Sequence, residues 1–135
     1  MTQTVTVRGQ ENEHRFLGAE SSTAVPTSGD TTIAQIDVNG KTLLCFHFAV
    51  ATNNLDNFDV TARPHPDAAQ HDFTPADWTS LPSGGRFRRA SGNLAAVAAA
   101  GTGYFEMDVS GLDQVVVKAS ATGGAAAVTS YWSLT

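Results

Sequence analysis

The sequence predicts an all-β protein, an antiparallel β-sandwich or jelly roll of about seven to nine strands with one long irregular loop. Short stretches of alternating apolar and polar residues recur along the chain, and Gly, Asn and Asp residues separate them. No helical stretches alternate regularly with these strands, which argues against a parallel βαβ arrangement. A length of 135 residues predicts a single domain over residues 1–135.

The first half of the chain contains three predicted strands, over residues 2–8, 31–38 and 41–51. Residues 9–30 are predicted to be a loop with one short strand near Phe16 and Leu17. Asn39 and Gly40 predict a hairpin between the second and third strands, because the Asn-Gly pair accepts positive φ at both turn positions. Both faces of residues 41–51 are largely apolar, which predicts a central strand that is covered on both sides.

The middle of the chain loses this regularity after one more strand. Residues 58–63 predict a strand with Phe58, Val60 and Ala62 facing inward. Residues 64–92 are rich in Pro and Gly and predict a long irregular excursion, with short strands at 78–81 and 86–90. The stretch "NLAAVAAAG" that follows predicts either one or two helical turns or a strand of small residues, and both readings stay open.

The last third of the chain has the clearest alternation. Strands are predicted over residues 102–109, 114–120 and 125–134, and the sequences "SGLD" and "ATGG" supply the turns between them. Because the three strands follow one another with short connections, they are predicted to form an antiparallel meander.

Charge and cysteine content narrow the classes of partner. A net charge of −5 argues against a nucleic-acid binder, which would carry a basic face. The longest apolar runs are too short to span a bilayer, so no membrane partner is predicted. Cys45 is the only cysteine, so it forms no internal disulfide, and its apolar surroundings predict a small buried hydrophobic residue. The N-terminal residues lack the apolar core of a secretory signal, and we expect synthesis and folding in a cytoplasm.

Arg86, Arg88 and Arg89 form the clearest candidate binding site. In an acidic protein a cluster of guanidinium groups can pair with carboxylates of a partner or with phosphate. The alternative is the solvated face of an edge strand, where basic residues discourage edge-to-edge aggregation. We predict these three residues, together with Trp78 in the neighbouring loop, as the partner contacts.

Two polar segments contain ligand types that metals use, and the ordinary structural reading is preferred for both. Carboxylate and amide oxygens that could bind calcium occur at Asn53, Asn54, Asp56, Asn57 and Asp59, but the same residues are common in β-turns. Imidazole and carboxylate groups that could bind a transition metal occur at His65, Asp67, His71 and Asp72, but the spacing matches no ligand signature and fits a solvated loop. No metal and no cofactor is predicted.

The sequence also lacks a catalytic signature. No nucleophile elbow, phosphate-binding loop or zinc-protease motif is present. Glu106 and Asp108 share a strand face about 7 Å apart, but such outward acids are usually just solvated. His47 lies on an apolar strand and is predicted to be buried and hydrogen-bonded. The chain is therefore predicted not to be an enzyme.

The segment "GTGYFEMDVSGLDQVVVKASATGGAAAVTSYWSL" resembles the closing hairpins of small β-sandwich virion proteins from tailed bacteriophages. The resemblance is carried by the strand "YFEMDV", the "SGLD" turn, the strand "QVVVKAS", the small residues "TGGAAAV" and the short aromatic ending. The early segment "TLLCFHFAVATNNLDNFDV" fits the same pattern. This resemblance implies a non-enzymatic protein of the virion, assembled in the host bacterial cytoplasm, that decorates a capsid or belongs to the head-tail connector or tail.

Two functions from different classes follow. The first is a structural subunit that binds capsid, connector or tail proteins and further copies of itself through edge strands, with residues 64–92 and those before residue 31 as extended arms. The alternative is a carbohydrate-binding module on a β-sandwich, with an aromatic platform drawn from Trp78, Tyr104, Tyr131 and Trp132 and calcium at Asp56 and Asp59. Trp132 follows the inward alternation, so core packing is the preferred reading for that residue.

Overall fold

A computed structural model describes residues 4–7 and 15–135, and these residues form ten strands and no helix. Residues 2, 3 and 8 of the predicted first strand, and residues 9–14 of the predicted loop, lie outside the described part. The strands are β1 (Thr4–Val7), β2 (Phe16–Val25), β3 (Thr31–Asp37), β4 (Leu43–Ala51), β5 (Asn57–Arg63), β6 (His71–Asp72), β7 (Phe87–Ala90), β8 (Thr102–Asp108), β9 (Gln114–Ser120) and β10 (Ala126–Leu134).

The strands build two antiparallel sheets, one of six strands in the order β1-β2-β10-β4-β8-β7 and one of four strands in the order β3-β9-β5-β6. The order β2-β10-β4-β8 facing β3-β9-β5-β6 is that of an eight-stranded jelly roll. Strands β1 and β7 extend the first sheet at its two edges. The predicted fold class is therefore confirmed. No helix among the described residues is long and apolar enough to cross a membrane.

Asn39 and Gly40 form a turn, as predicted, but the two strands that it connects do not pair with each other as a hairpin. Both residues have positive φ, 54° and 74°, and the Lys41 amide donates to the Val38 carbonyl at 3.1 Å. However, β3 pairs with β9, whereas β4 pairs with β10 and β8. The turn therefore carries the chain from one sheet to the other, because it fixes the local reversal but not the partner of either strand.

The predicted meander of the last three strands is wrong for the same reason. Strands β8 and β10 belong to the six-stranded sheet, and β9 belongs to the four-stranded sheet. The alternation itself is confirmed, because the even-numbered side chains of β10 from Ala126 to Leu134 are buried. Alternation with a period of two residues predicts which side chains face the core. It does not predict which of the two sheets contains the strand, because the pattern is identical in both.

The predicted loop before residue 31 contains a ten-residue strand, β2, which pairs with β1 and β10. Close packing requires glycine at position 18. A Cβ atom at this position would lie 2.2 Å from Cε2 of the Trp132 indole, which covers the glycine. A bulge opposite Val128 and Ser130, with Ser22 at φ 49°, also interrupts the alternation of β2.

Aromatic side chains fill the space between the sheets. Phe46, Phe48, Phe58 and Phe105 have no exposed surface, and the rings of Phe48 and Phe58 stack with centroids 4.5 Å apart. Phe58, Val60 and Ala62 of β5 are all fully buried, which confirms the predicted inward face of this strand. Such rings bury much apolar area and dominate the stability of a core.

The residues of segment 64–92 are irregular, as predicted, but they pack on their own domain and are not an extended arm. Residues 78–81 form a turn, not the predicted strand, while β7 falls within the predicted residues 86–90. Trp78 is 3% exposed and meets Phe58 and Phe87 edge-on, at 5.9 and 5.1 Å between centroids. The Thr74 hydroxyl accepts a hydrogen bond from the Val60 amide at 2.9 Å.

Residues 93–101 form neither a helical turn nor a strand. They contain turns and one isolated bridge, between Val97 and Leu55. The Asn54 side-chain oxygen accepts a hydrogen bond from the Ala99 amide at 2.8 Å. This segment therefore closes one end of the sandwich without extending a sheet.

Candidate functional site

Three adjacent strands of the six-stranded sheet, β2, β10 and β4, have an outer face that is unusually poor in charge. Strands β4 and β10 contain no Asp, Glu, Lys or Arg, and the one charged residue of β2, Glu20, is only 4% exposed. We call this surface the uncharged face. Its outward side chains on β2, β10 and β4 include Leu17, Ala19, Ala127, Thr129, Tyr131, Ser133, Leu43, Cys45, His47 and Ala49.

This arrangement corrects three predictions about β4, that it is covered on both sides, that His47 is buried and that Cys45 is buried. Leu44, Phe46, Phe48 and Val50 face the core as expected. The other side of the strand is not covered by a second layer, because His47 is exposed and Cys45 is half-buried. His47 is therefore a surface residue and not a buried core histidine. Apolar residues on both faces of β4 predicted a strand covered on both sides within the domain. An apolar outer face is also typical of a surface that contacts another protein.

Three aromatic side chains form a row that begins on the uncharged face and ends on the neighbouring strand β8. Register places His47 of β4 opposite Tyr131 of β10 on one side and opposite Tyr104 of β8 on the other. The rings of His47 and Tyr131 have centroids 6.2 Å apart. Tyr131 is 52% exposed and is the one large apolar side chain of the described residues that is exposed.

A hydrogen-bonded polar group lies at the β8 side of this row. The Tyr104 hydroxyl donates to Oε2 of Glu106 at 2.6 Å, and Nε of Arg89 lies 3.8 Å from the same oxygen. The Glu106 side chain is 17% exposed and that of Arg89 is 77% exposed. Burial, followed by the hydrogen bond to Glu106, raises the pKa of Tyr104, so the hydroxyl keeps its proton and remains a donor.

The three predicted arginines have different surroundings. Nη1 of Arg86 donates to the carbonyls of Asp108 and Ser110 at 3.0 and 3.1 Å, and its guanidinium lies 5.4 Å from the centroid of the Phe73 ring. Arg86 therefore ties the long loop to the turn after β8. Arg88 and Arg89 are exposed on edge strand β7, which is bulged between Phe87 and Arg89. A bulge and basic residues are how natural edges avoid aggregation, and a contact role for these two arginines stays a prediction.

Trp78 is not a surface contact residue, contrary to the prediction. Its indole belongs to the core between Phe58, Phe87 and Phe105. Trp132 is also buried, at 5% exposure, as its alternation indicated. Of the four aromatic residues considered for a sugar platform, only Tyr131, on the uncharged face, and Tyr104, beside it on β8, lie on the outer side of the sheet.

The side chains considered for calcium binding are hydrogen-bonded to the protein itself. Asp56 accepts hydrogen bonds from the amide and the hydroxyl of Thr122, and these bonds lower its pKa, the hydroxyl more than the amide. The side-chain amide of Asn53 donates to the Ala125 carbonyl at 2.8 Å. Asn57 donates to Oδ2 of Asp59 at 2.9 Å. These residues hold the loop after β4 against its neighbours, as turn residues do.

The residues considered for a transition metal or for catalysis are also not gathered into a site. The Nδ1 atom of His65 accepts a hydrogen bond from the Asp67 amide at 3.1 Å, and Asp72 accepts one from Thr74 at 2.9 Å. Asp108 accepts hydrogen bonds from Ser110 while Glu106 accepts from Tyr104. Within the part of the chain that the structure describes, no three His, Cys, Asp or Glu side chains are grouped to hold a metal ion.

The outer face of the four-stranded sheet is charged, unlike the uncharged face. Asp59 of β5 lies opposite Lys118 of β9, and Arg63 pairs with Asp113 at 3.0 Å. Burial raises the pKa of Asp59, and the charges of Asp30 and Asp72 raise it further, while Asn57 and Lys118 oppose the shift.

We expect Asp59→Asn to raise the thermal unfolding midpoint at pH 7. A raised pKa means that the folded protein favours protonated Asp59, so the group contributes stability below its ordinary pKa of 3.8, and this contribution is lost as the pH rises through the raised value. Asparagine removes the charge and can still accept the bond from Asn57. The gain should shrink as the pH approaches 3.8, and calorimetry at two pH values measures it. Equal midpoints at pH 7 would contradict this assignment.

The sequence contains one signal for the uncharged face, which no binding motif accompanies. Strands β4 and β10 lack charged residues at their outward positions as well as at their inward positions. In a solvated strand the outward positions are usually polar or charged. The exposure of Tyr131 and His47 could not be read from the sequence, because it depends on which strands lie side by side.

No protein-family model and no curated protein sequence matches the chain. Among solved structures, it is similar to one titled as the crystal structure of SPBc2 prophage-derived protein YomS. The two chains share 10% sequence identity with a TM-score of 0.48, over 85% of this chain and 94% of that chain. The jelly-roll assignment stands on the strand order and register given above.

Proposed function

We propose that this chain is a non-enzymatic structural protein of a phage or phage-like particle, which binds a neighbouring subunit through the uncharged face. The observation that carries the proposal is a tyrosine-bearing sheet face without charged residues in a protein of net charge −5. The neighbouring subunit belongs to the capsid, the connector or the tail.

The composition of the uncharged face suits a protein interface. Interface cores are poor in charged residues and rich in tyrosine, and a few aromatic anchors supply most of the binding energy. Covering Tyr131 and His47 removes little charge from water, so the desolvation cost is small. Arg88 and Arg89 lie at the β7 rim of this sheet, where charges steer a partner more than they hold it.

Two further observations support the proposal that this protein belongs to a phage particle. The last third of the sequence resembles the closing hairpins of small virion proteins of tailed phages. The strand order is also that of a jelly roll, an architecture that viral capsid domains share with lectins and cupins.

Purification of particles from lysates of the bacterium that carries the gene tests the proposal. The protein should co-band with particles in a density gradient. A Tyr131→Glu variant should be lost from the particle band, because a buried unpaired carboxylate is costly. Gln35→Glu is the matched control, since Gln35 is exposed on the other sheet and gains the same charge. Equal recovery of both variants would contradict the use of this face.

A second candidate function is carbohydrate binding where the uncharged face meets strand β8. Tyr131 offers an exposed ring, and Glu106 offers a carboxylate that Tyr104 already orients. Both tryptophans are buried, so glycan binding should be followed by calorimetry and not by tryptophan quenching. Binding of a glycan from a broad panel that Tyr104→Ala abolishes would favour this function over the structural one.

A further inference from the structure

We infer that the uncharged face is covered by a second copy of this chain, docked face to face about a two-fold axis. This inference rests on the proposed function, because it names the partner of the same face. It follows from the size of the face, from the distribution of charge and from the position of the aromatic row.

The uncharged face and the strands on either side of it offer enough area for a reversible pair. The six strands of the sheet, spaced about 4.8 Å apart and about seven residues long, cover roughly 650 Å² in outline. Specific interfaces bury roughly 600–1,000 Å² on each partner, so this area lies at the low end of that range. Two sheets can also stack closely, since sheet faces pack about 10 Å apart in sandwiches.

The distribution of charge favours this face over the opposite one for a pair of identical chains. Two copies of a chain with net charge −5 repel each other wherever acidic surfaces meet. Strands β4 and β10 bring no charged residue to the contact, and at its β8 side the Glu106 carboxylate lies 3.8 Å from Arg89 of the same copy. The outer face of the four-stranded sheet would instead bring Asp59 and the neighbouring Asp72 of both copies together. Like charges that meet across an interface cost several kcal/mol.

The aromatic row lies where an isologous interface has its centre. The midline of the six-stranded sheet runs between β10 and β4, next to Tyr131 and His47. In an interface with two-fold symmetry, a residue close to the axis contacts the same residue of the second copy. This holds for any orientation of the axis within the interface. Tyr131 would therefore pack against the aromatic row of the second copy. The small side chains of Ala19 and Ala49 beside the row leave room for the incoming rings.

Cys45 provides a direct test of this geometry. It is the only cysteine of the chain and lies two residues from His47 on the same outward side of β4. In the proposed pair, two Cys45 thiols close to the axis come within reach of a short bis-maleimide. The purified protein should therefore give a covalent dimer, and sedimentation velocity should show a dimer that dissociates on dilution.

Two variants on the face and one away from it complete the experiment. Tyr131→Glu and His47→Glu should each raise the dimer dissociation constant roughly 30-fold or more, as expected for a central anchor residue. Both side chains are exposed, so both variants should fold, which circular dichroism checks. Gln35→Glu should leave the dissociation constant and the Cys45 cross-link unchanged.

Three outcomes would overturn the inference. They are a monomer at every concentration, a dimer without the Cys45 cross-link, and a dimer that Tyr131→Glu and His47→Glu leave intact. Failure here is distinguishable from failure of the proposed function. If the wild-type protein is a monomer but Tyr131→Glu is still lost from particles, a different subunit occupies the face.

Discussion

Trp78→Ala is expected to lower the free energy of unfolding by about 3–5 kcal/mol, the range for removing a large aromatic side chain from a core. The indole is 3% exposed and joins the long irregular segment to Phe58, Phe87 and Phe105. Its removal leaves a cavity that the proline-rich segment around it would fill only in part. Urea unfolding followed by circular dichroism measures the change.

Tyr131→Ala is the matched control for this prediction. Tyr131 is 52% exposed, so its truncation should change the unfolding free energy by no more than about 0.5 kcal/mol in the monomer, as for most surface substitutions. The two substitutions therefore compare the stability lost on removing an aromatic side chain from the core with that lost on removing one from the surface. If Trp78→Ala costs less than about 1 kcal/mol, the segment does not depend on Trp78 for its attachment.

Gly103→Ala is expected to destabilise the protein by about 1–3 kcal/mol, because it overfills a packed core. A Cβ atom at residue 103 would lie 2.2 Å from Cζ of Phe48 and 3.0 Å from Cδ2 of Leu94. Phe48 itself stacks on Phe58, so the ring has little freedom to move. Thermal unfolding in a calorimeter measures the loss.

Gly123→Ala is the control for the glycine substitution. A Cβ atom there would meet no other atom within 4 Å, and the residue does not have positive φ. Alanine should therefore be neutral or slightly stabilising, because it reduces the freedom of the unfolded chain. Similar losses for both variants would mean that contact with Phe48 is not the cause.

The sequence predicted the faces of strands better than their partners. Alternation identified β5 and the last three strands, and the inward residues Phe58 and Val60 are buried as expected. Pairing was missed, because Asn39, Gly40 and the turns near β9 lie on crossovers between sheets. Strand β2 was missed because Gly18 signals a loop locally, and its reason for being glycine is Trp132, far away in the sequence.

The candidate site was the least predictable part of the molecule. Clusters of arginine, histidine and aspartate in the sequence suggested binding sites, but Arg86 and Asp56 form hydrogen bonds within the protein. The uncharged face depends on β10 lying beside β4, which no local pattern states. Trp78 shows the opposite error, because an aromatic residue in a proline-rich loop suggested a surface contact although it fills the core.

The rate at which Cys45 reacts with a maleimide in purified particles tests the central claim most directly. The thiol lies on the uncharged face, so any subunit that covers this face, a second copy or a different protein, should shield it. The account predicts that labelling is much slower in particles than in the isolated protein diluted to a monomer, with the unfolded chain as the reference for full reactivity. Equal rates in particles and in the monomer would contradict the claim that this face is the docking surface.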